Sequence, residues 1–293
     1  MQWISLSLIA AFFYALRYIF VKKYLSQASS LVITFSVRFF GALLIAPLAF
    51  VIQARDVNAG LLMTTVLATS VLTAVSSVIQ FYSVKNYDIS SSLPFLSFVP
   101  FFMAFWVYII HGALPGKYCI IGILLLCSGA YIIGRQNAGH TKQPAAGGGA
   151  ALFFVSALIL GLTTVLDKTA IESAGAGGVI YSICWNAFSA LIFSPLFFAG
   201  KNSNLYISQF KSHFRHLFIQ GVFGITAFAA QMLAVEYCRN SASNVVYVKS
   251  LTMLQIFFAV CISSVIFAER GASDRIPASA LMIAGAAVIA AAK

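Results

Sequence analysis

Charged residues are scarce in this chain of 293 residues, and their scarcity excludes most soluble folds. Asp, Glu, Lys and Arg make up 9% of the sequence, while 61% is apolar; an ordinary soluble domain carries about 25% charged residues. A transmembrane helix needs about 20 mainly apolar residues. We therefore expect a chain that is nearly all membrane-embedded, with no room for a soluble domain.

Motifs for cofactor or catalytic chemistry are also missing. The five cysteines form no CxxC pair and lie mostly in apolar runs, which predicts small core residues rather than disulfides or a metal site. No Walker-type glycine loop is present, so ATP is not expected to drive the protein. No nucleophile, metal cluster or pair of catalytic carboxylates suggests a membrane enzyme. We predict a protein that is not an enzyme and has no cofactor.

Basic residues outnumber acidic ones, 18 to 7, which gives a net charge of +11. They are scattered singly between apolar runs rather than gathered on one face, which argues against a nucleic-acid partner. Their distribution between the loops instead indicates the orientation of the spans in the membrane. More of them fall in the connections after the odd-numbered spans, so the positive-inside rule taken literally places both termini outside the cell.

Apolar runs between charged or turn-rich breaks predict ten membrane spans. They lie near residues 3-21, 31-53, 60-84, 90-111, 117-135, 150-168, 177-199, 214-237, 242-267 and 276-292. The first run lacks a basic n-region and a cleavage site, so we expect it to be a span and not a removed signal peptide. The absence of Asn-x-Ser/Thr sequons fits a bacterial inner membrane.

The two halves of the chain resemble each other. LLIAPLAF (43-50) is similar to LIFSPLFF (191-198), and QFYSVKNYDISSS (80-92) is similar to QMLAVEYCRNSAS (231-243). A stripe of small or polar residues precedes both Gln80 and Gln231 at helical spacing. We expect a five-helix repeat at 1-135, a flexible linker at 136-149 and a second five-helix repeat at 150-293. Because five is odd, the repeats insert in opposite orientations, as in many secondary transporters.

Lys249 is the sharpest candidate for a substrate site, because a charge at the bilayer centre costs about 2.5 to 3.5 kcal/mol on insertion scales. It shares a polar stripe of the ninth span with Asn244, Thr252 and Gln255. We interpret the stripe as cavity lining and Lys249 as an anchor for a carboxylate or phosphate. Alternatively, Lys249 snorkels to the interface or pairs with Glu236.

Arg17 and Tyr14 on the first helix lie in a region that corresponds to Asp167 on the sixth, so a pair across the repeats is plausible. Alternatively, Arg17 snorkels and Asp167 neutralises Lys168. Arg38 lies close to a loop and is expected to anchor the interface or brace the fold.

Other polar and aromatic positions complete the predicted site. Gln80 and Gln231 either bind substrate or tie helices together. Tyr82 and Tyr247 lie near polar stripes and could stack on a flat substrate, and Ser97 of the fourth span is a further candidate. Asp167 and Glu236 are the candidates for coupling to a proton.

Pro94 and Pro100 interrupt the fourth span, as a moving gate or a static kink. Gly122 and Gly129 predict a close helix contact on the fifth span, either within the chain or with a second copy.

Three stretches carry a family resemblance: VRFFGALLIAP with Arg38, IIGILLLCSGAYIIG after the fourth span, and NVVYVKSLTMLQIFFAVCISSVIFAER before a Gly-containing tenth span. In these the sequence resembles the EamA-type ten-helix members of the drug/metabolite transporter superfamily. The resemblance implies a central cavity lined by the first, third and fourth helices and by the sixth, eighth and ninth. Where the family commonly has a Glu after the fourth span, this chain has His111-Gly112, so no role of that Glu carries over.

The resemblance also implies that the termini lie inside the cell, against the charge count, so the orientation stays open. As a function we expect a secondary transporter, an exporter or exchanger, that moves a small polar metabolite, amino-acid-like or otherwise anion-bearing, by alternating access. Three intramembrane cations against fewer deep carboxylates favour the anionic group. The alternatives are an exporter of cationic drugs or amines, and a non-transporting scaffold. The expected partners are a small-molecule substrate and membrane lipid, with the protein a monomer or a homodimer.

Overall fold

The computed structural model describes residues 2–50, 57–87, 93–138, 147–200, 202–238, 243–266 and 276–291. Within these ranges every regular element is a helix, which confirms an all-α protein. The α-helices, numbered in chain order, are α1 (Gln2–Tyr24), α2 (Ser30–Ile45), α3 (Ala59–Asn86), α4 (Val99–His111), α5 (Lys117–Ala138), α6 (Gly147–Glu172), α7 (Gly177–Phe198), α8 (Ser203–Ser212), α9 (Phe214–Tyr237), α10 (Asn244–Thr252), α11 (Gln255–Ile266) and α12 (Ile276–Ala291).

These helices account for the apolar runs of the sequence. In the described part of the chain, 7 helical segments are long and apolar enough to cross a membrane: Gln2–Tyr24, Ser30–Phe50, Ala59–Asn86, Gly148–Glu172, Gly177–Phe198, Phe214–Tyr237 and Asn244–Ser263. Shorter apolar helices at Phe95–His111, Lys117–Ile132 and Pro277–Ala291 fall at the predicted fourth, fifth and tenth spans. The protein is a multi-pass membrane protein.

Short polar side chains set several helix ends. Ser29 precedes α2, and its hydroxyl accepts a hydrogen bond from the Leu31 N–H. Asn58 precedes α3 and accepts in the same way from Leu61, at 3.1 Å. Gly112 ends α4 in the left-handed region, at φ 63°, which glycine enters without steric cost.

The fourth and ninth spans are both interrupted. A 3₁₀ helix at Leu93–Phe98 leads into α4, and α10 ends at Thr252 before α11 begins at Gln255. Pro100 lies in the first turn of α4, where its missing N–H would have had no helical partner.

Helix packing keeps the same pattern when the two halves are exchanged. α1 packs on α9 as α6 packs on α3, and α2 packs on α9 as α7 packs on α3. α1 packs on α11 as α6 packs on α4. In the pairs α2–α7 and α5–α12, each helix packs on its own counterpart in the other half. Two equivalent five-helix repeats would give this pattern, so it agrees with the predicted repeats.

Gly122 and Gly129 of α5 contact α12 of the same chain. A Cβ atom at Gly122 would lie 2.7 Å from the carbonyl oxygen of Gly285, and one at Gly129 would lie 2.7 Å from that of Ala278. Both distances are too short for a real Cβ atom, so the absence of a side chain at these glycines allows α5 and α12 to approach closely.

Candidate functional site

A cavity lies between the two halves, lined by side chains of α1, α2, α3, α6, α7, α9, α10 and α11. It offers about 60 Å³ to the centres of water molecules. One water needs about 10–15 Å³ on that measure, so the cavity has room for a few waters. Ligand pockets usually measure about 300–1,000 Å³. A metabolite would need the halves to separate further.

Three cations line this cavity: Arg17 on α1, Arg38 on α2 and Lys249 on α10. Their exposed fractions are 7%, 5% and 6%. The alternative that Arg17 and Lys249 snorkel to the interface is therefore wrong. Of the two expectations for Arg38, an interface anchor or a brace of the fold, the first is also wrong. Such groups are costly in the membrane unless they face the interior of the protein or water.

Aromatic rings hold the Arg38 guanidinium in place. Its Cζ atom lies 4.1 Å from the centroid of the Trp185 ring. Trp185 in turn stacks on Phe228, with centroids 4.1 Å apart and an interplanar angle of 15°. Arg38 also donates from Nη2 to the Ser77 hydroxyl at 3.0 Å. The ring face stabilises the charge without occupying the N–H edge of the guanidinium.

Arg17 has a similar aromatic environment. Its Cζ atom lies 5.2 Å from the ring centroids of both Tyr14 and Tyr18, and 5.3 Å from that of Phe81. Its Nε atom is buried and has no hydrogen-bond partner among the described residues. The side chain therefore keeps donor capacity that the protein itself does not use.

Lys249 lies in the last turn of α10, where the helix end favours a positive charge. Its Nζ atom donates to Gln231 Oε1 at 3.2 Å and lies 5.9 Å from the Tyr14 ring centroid. The Thr252 hydroxyl donates to the Lys249 carbonyl oxygen at 2.7 Å, next to the break between α10 and α11. Lys249 and Gln231 thus join the eighth and ninth spans at the cavity wall.

Asp167 on α6 lines the same cavity and is 6% exposed. Tyr181 of α7 donates a short hydrogen bond to its Oδ1 atom, and the Thr69 hydroxyl lies 3.0 Å from the Tyr181 oxygen. Lys168 pairs with Glu172 at 2.6 Å instead, so the alternative that Asp167 neutralises Lys168 is wrong.

The four charged groups of the cavity do not neutralise one another by contact. Within the described ranges, no salt bridge of 4.0 Å or less joins the Asp167 carboxylate to Arg17, Arg38 or Lys249. Among the described residues, the cavity therefore holds more positive than negative charge, and no carboxylate contacts these cations directly.

Gln80 is the centre of a hydrogen-bond network that joins three helices. The Tyr18 hydroxyl of α1 donates to Gln80 Oε1 at 2.5 Å. Gln80 Nε2 donates to Ser76 at 2.9 Å and to Ser156 of α6 at 2.7 Å. The two serine oxygens lie 2.7 Å apart. Gln80 thus ties helices together, which is one of the two interpretations open for it, and it also lines the cavity.

The cavity brings together many of the predicted site residues: Tyr14, Arg17, Gln80, Asp167, Gln231, Lys249 and Gln255. The others lie elsewhere. Tyr82 is 51% exposed on the outer face of α3, and Tyr247 is buried with its hydroxyl beside Gly116. Asn244 begins α10, outside the cavity.

Three further predicted residues have contacts away from the cavity. Ser97 is fully buried, and its carbonyl oxygen accepts from the Cys127 thiol at 3.3 Å. Thr252 bonds the backbone of its own helix. Glu236 Oε2 accepts from the Gly178 N–H at 2.7 Å, where a carboxylate stabilises the start of α7. The coupling candidates are thus separated, with Asp167 in the cavity and Glu236 at a helix end.

Sequence reasoning missed Trp185, Tyr18 and Tyr181 as parts of the site. The place of Trp185 well inside α7, whose first residue is Gly177, is the signal that could have identified it, because interfacial tryptophans lie near the ends of a span. Tyr181 carries no comparable signal, because only the folded chain brings its hydroxyl to Asp167.

Comparison with curated proteins gives no match. A solved structure described as "Crystal structure of protein" aligns with a TM-score of 0.64 and 15% sequence identity, over 97% of this chain and 98% of its own. Similarity at that identity shows a shared fold and nothing about function. The model of the EamA-like transporter family matches residues 1–135. The resemblance suggested by the sequence is confirmed over these residues, which match the EamA-like transporter family, a family of the drug/metabolite transporter superfamily.

Proposed function

We propose that this protein is a secondary transporter that carries a small, anion-bearing metabolite across the membrane by alternating access at the central cavity. The observation that carries the proposal is the lining of that cavity: Arg17, Arg38 and Lys249 are buried there, and Asp167 is the one carboxylate among the described residues that lines it. Buried charge needs compensation, and an anionic substrate supplies it. We place the coupling role with Asp167 and not with Glu236.

The helix arrangement supports alternating access. The packing pattern survives exchange of the halves, so each half can take the conformation of the other, and the cavity then opens to the opposite side. The proposal keeps the division into repeats 1-135 and 150-293 with the linker 136-149. It also keeps a bacterial inner membrane as the location.

The interrupted spans support the same mechanism. Leu96 of the 3₁₀ segment and both Lys249 and Gln255 beside the break in the ninth span line the cavity. Discontinuous helices at mid-membrane are a common feature of transporter sites, because their free backbone groups face a cavity instead of lipid.

The test begins with a thermal-shift screen of the purified protein against amino acids, organic acids, sugar phosphates, nucleotides and amines. We expect the stabilising compounds to carry a carboxylate or phosphate and to be taken up by proteoliposomes. Lys249→Gln should abolish both effects. Lys117→Gln, which removes an exposed lysine at the start of α5, is the matched control and should retain both. Absence of substrate-dependent flux for every compound would leave only a non-transporting scaffold.

Export of cationic drugs or amines is the second candidate, and one observation favours it. Asp167 faces the cavity without an ion pair to the cations there, so it could in principle receive an amine. The three neighbouring cations oppose this, because they repel a positively charged substrate. Unchanged uptake and efflux of amines by Asp167→Asn would remove this candidate.

A further inference from the structure

We infer that the substrate of this cavity carries two negative charges, as a phosphomonoester does. The inference rests on the proposed transport function and deepens it by naming the substrate class. It follows from the charge balance of the cavity, from the hydrogen bond that Asp167 accepts, and from the N–H donors that no described protein group is shown to use.

The charge balance is the first step. Arg17, Arg38 and Lys249 contribute three positive charges and Asp167 one negative charge, which leaves two positive charges in excess among the groups that line the cavity. All four side chains are at least nine-tenths buried. A monoanion would leave one buried charge without compensation, whereas a dianion neutralises the cavity.

The second step concerns Asp167, which could have reduced this excess by pairing with a cation. Its Oδ1 atom accepts the Tyr181 hydroxyl instead, and Thr69 holds that hydroxyl from the other side at 3.0 Å. The carboxylate is thereby fixed against α7, away from direct contact with the cations. Tyr181 acts as a positioning residue: it keeps Asp167 from taking the place of the substrate.

The third step concerns the donors. A guanidinium has five N–H groups in a planar fork that matches two oxygens of a phosphate or carboxylate. Arg38 makes one side-chain hydrogen bond among the described residues, to Ser77, and its face is covered by Trp185. Arg17 is covered by tyrosine faces and has an unpartnered Nε. Each guanidinium therefore keeps N–H groups to which no described side chain is shown to bond.

The position of the three cations favours two charges on one group. Arg17, Arg38 and Lys249 all line the same cavity, so a compact dianion can reach them more easily than one whose charges lie at opposite ends of a chain. We therefore expect a phosphomonoester to bind more tightly than a dicarboxylate of similar size.

The experiment measures binding of a charge series to the full-length purified protein by calorimetry and by thermal shift. The probes are glycerol 3-phosphate, succinate, dimethyl phosphate, butyrate and ethanolamine. We expect glycerol 3-phosphate to bind at least about tenfold more tightly than dimethyl phosphate. The second ionisation of a phosphomonoester lies near pH 6, so its advantage should shrink below that pH. Equal affinity for the mono- and dianionic phosphates, or a preference for butyrate or ethanolamine, overturns the inference.

Two variants test the charge balance itself. Asp167→Asn raises the excess positive charge and should increase the preference for glycerol 3-phosphate over dimethyl phosphate. Tyr181→Phe releases the carboxylate to pair with Arg38 or Lys249 and should reduce that preference severalfold. Tyr108→Phe removes a hydroxyl from an exposed tyrosine of α4 and serves as the control. A preference that neither Asp167→Asn nor Tyr181→Phe changes contradicts the inference.

The outcome separates this inference from the proposed function. Uptake of monoanions by proteoliposomes with no preference for dianions defeats the substrate class but leaves a transporter. Absence of uptake for all probes and all compounds of the wider screen defeats both.

Discussion

Gln80 and Gln231 occupy equivalent positions in the two halves, yet the structure uses them differently. Gln80 has hydrogen bonds to Tyr18, Ser76 and Ser156, which connect α3 to α1 and α6. Gln231 contributes one side-chain hydrogen bond among the described residues, as the acceptor for Lys249. The first glutamine is held by neutral groups of neighbouring helices, and the second is held by a cation.

The difference follows from the residues one turn earlier. The position four residues before Gln80 is Ser76, whose hydroxyl accepts the amide, whereas the position four residues before Gln231 is Ala227, which has no such group. The Gln231 amide nitrogen is therefore free of that internal partner. The two glutamines can thus have different roles: Gln80 braces the first half, whereas the Gln231 amide nitrogen has no hydrogen bond shown among the described residues.

Replacement of Gln80 by Leu should produce the largest effect on stability. It removes three hydrogen bonds and leaves the buried Tyr18 hydroxyl without its acceptor. Side-chain hydrogen bonds between membrane helices contribute on average about 0.6 kcal/mol each, and an unsatisfied partner adds a further penalty. We expect a loss of about 2 kcal/mol in the free energy of unfolding, measured by denaturation in mild detergent.

Gln80→Glu is the informative companion, because it keeps the shape and the acceptor for Tyr18 but introduces a charge. It should unfold more easily than wild type as well. A Gln80→Leu protein with wild-type stability would show that the network does not brace the first half.

Replacement of Gln231 by Leu should have a smaller effect on stability and a clear effect on binding. Only the bond to Lys249 is lost, so the free energy of unfolding should fall by about 0.6 kcal/mol. The amide can no longer orient the ammonium or donate to a bound anion, and we expect the KM for the transported anion to rise about tenfold, equivalent to about 1.4 kcal/mol. Matching changes of stability and KM in the Gln80 and Gln231 variants would remove the distinction between the two glutamines.

Much of the fold is predictable from the sequence, because hydrocarbon runs and their charged breaks determine which segments cross the membrane. The break between α10 and α11 is different. No proline or glycine stands at Met253 or Leu254, so no local signal marks it. Tertiary packing around the cavity decides where that helix is interrupted.

Site residues were predictable from their depth in the membrane. They were not predictable where the direction of the side chain around its helix decided the outcome. Lys249 and Gln80 were identified because polar groups deep in a span face the interior. Tyr82 is close in sequence to Gln80, and Tyr247 is close to Lys249, which is why the sequence favours both tyrosines. Each lies two positions away, and two residues turn an α-helix by about 200°. Both tyrosines therefore point away from the cavity, Tyr82 to the outer surface.

Arg38 shows the opposite failure. Its short distance from a loop suggested an interfacial anchor, but distance along the chain cannot reveal that Trp185 of the other half covers its guanidinium. Contacts between repeats are set by the packing of α2 on α7, which no segment of sequence encodes alone.

Replacement of Ser76 by Ala should have the smallest combined effect on stability and binding and would sharpen the comparison, because it gives Gln80 the environment that Ala227 gives Gln231. Gln80 keeps Tyr18 and Ser156 as partners, but the bond between the Ser76 and Ser156 hydroxyls is lost as well, so the expected loss is about 1.2 kcal/mol in the free energy of unfolding. Ser36→Ala is the matched control, since that buried hydroxyl bonds only the Val32 carbonyl of its own helix among the described residues. If Ser76→Ala destabilised the protein as much as Gln80→Leu, the serine and not the glutamine would be the brace. If it left stability unchanged while Gln80→Leu did not, the bonds from Gln80 to α1 and α6 alone would hold the first half together, and the difference between the two glutamines would lie in those neighbouring helices.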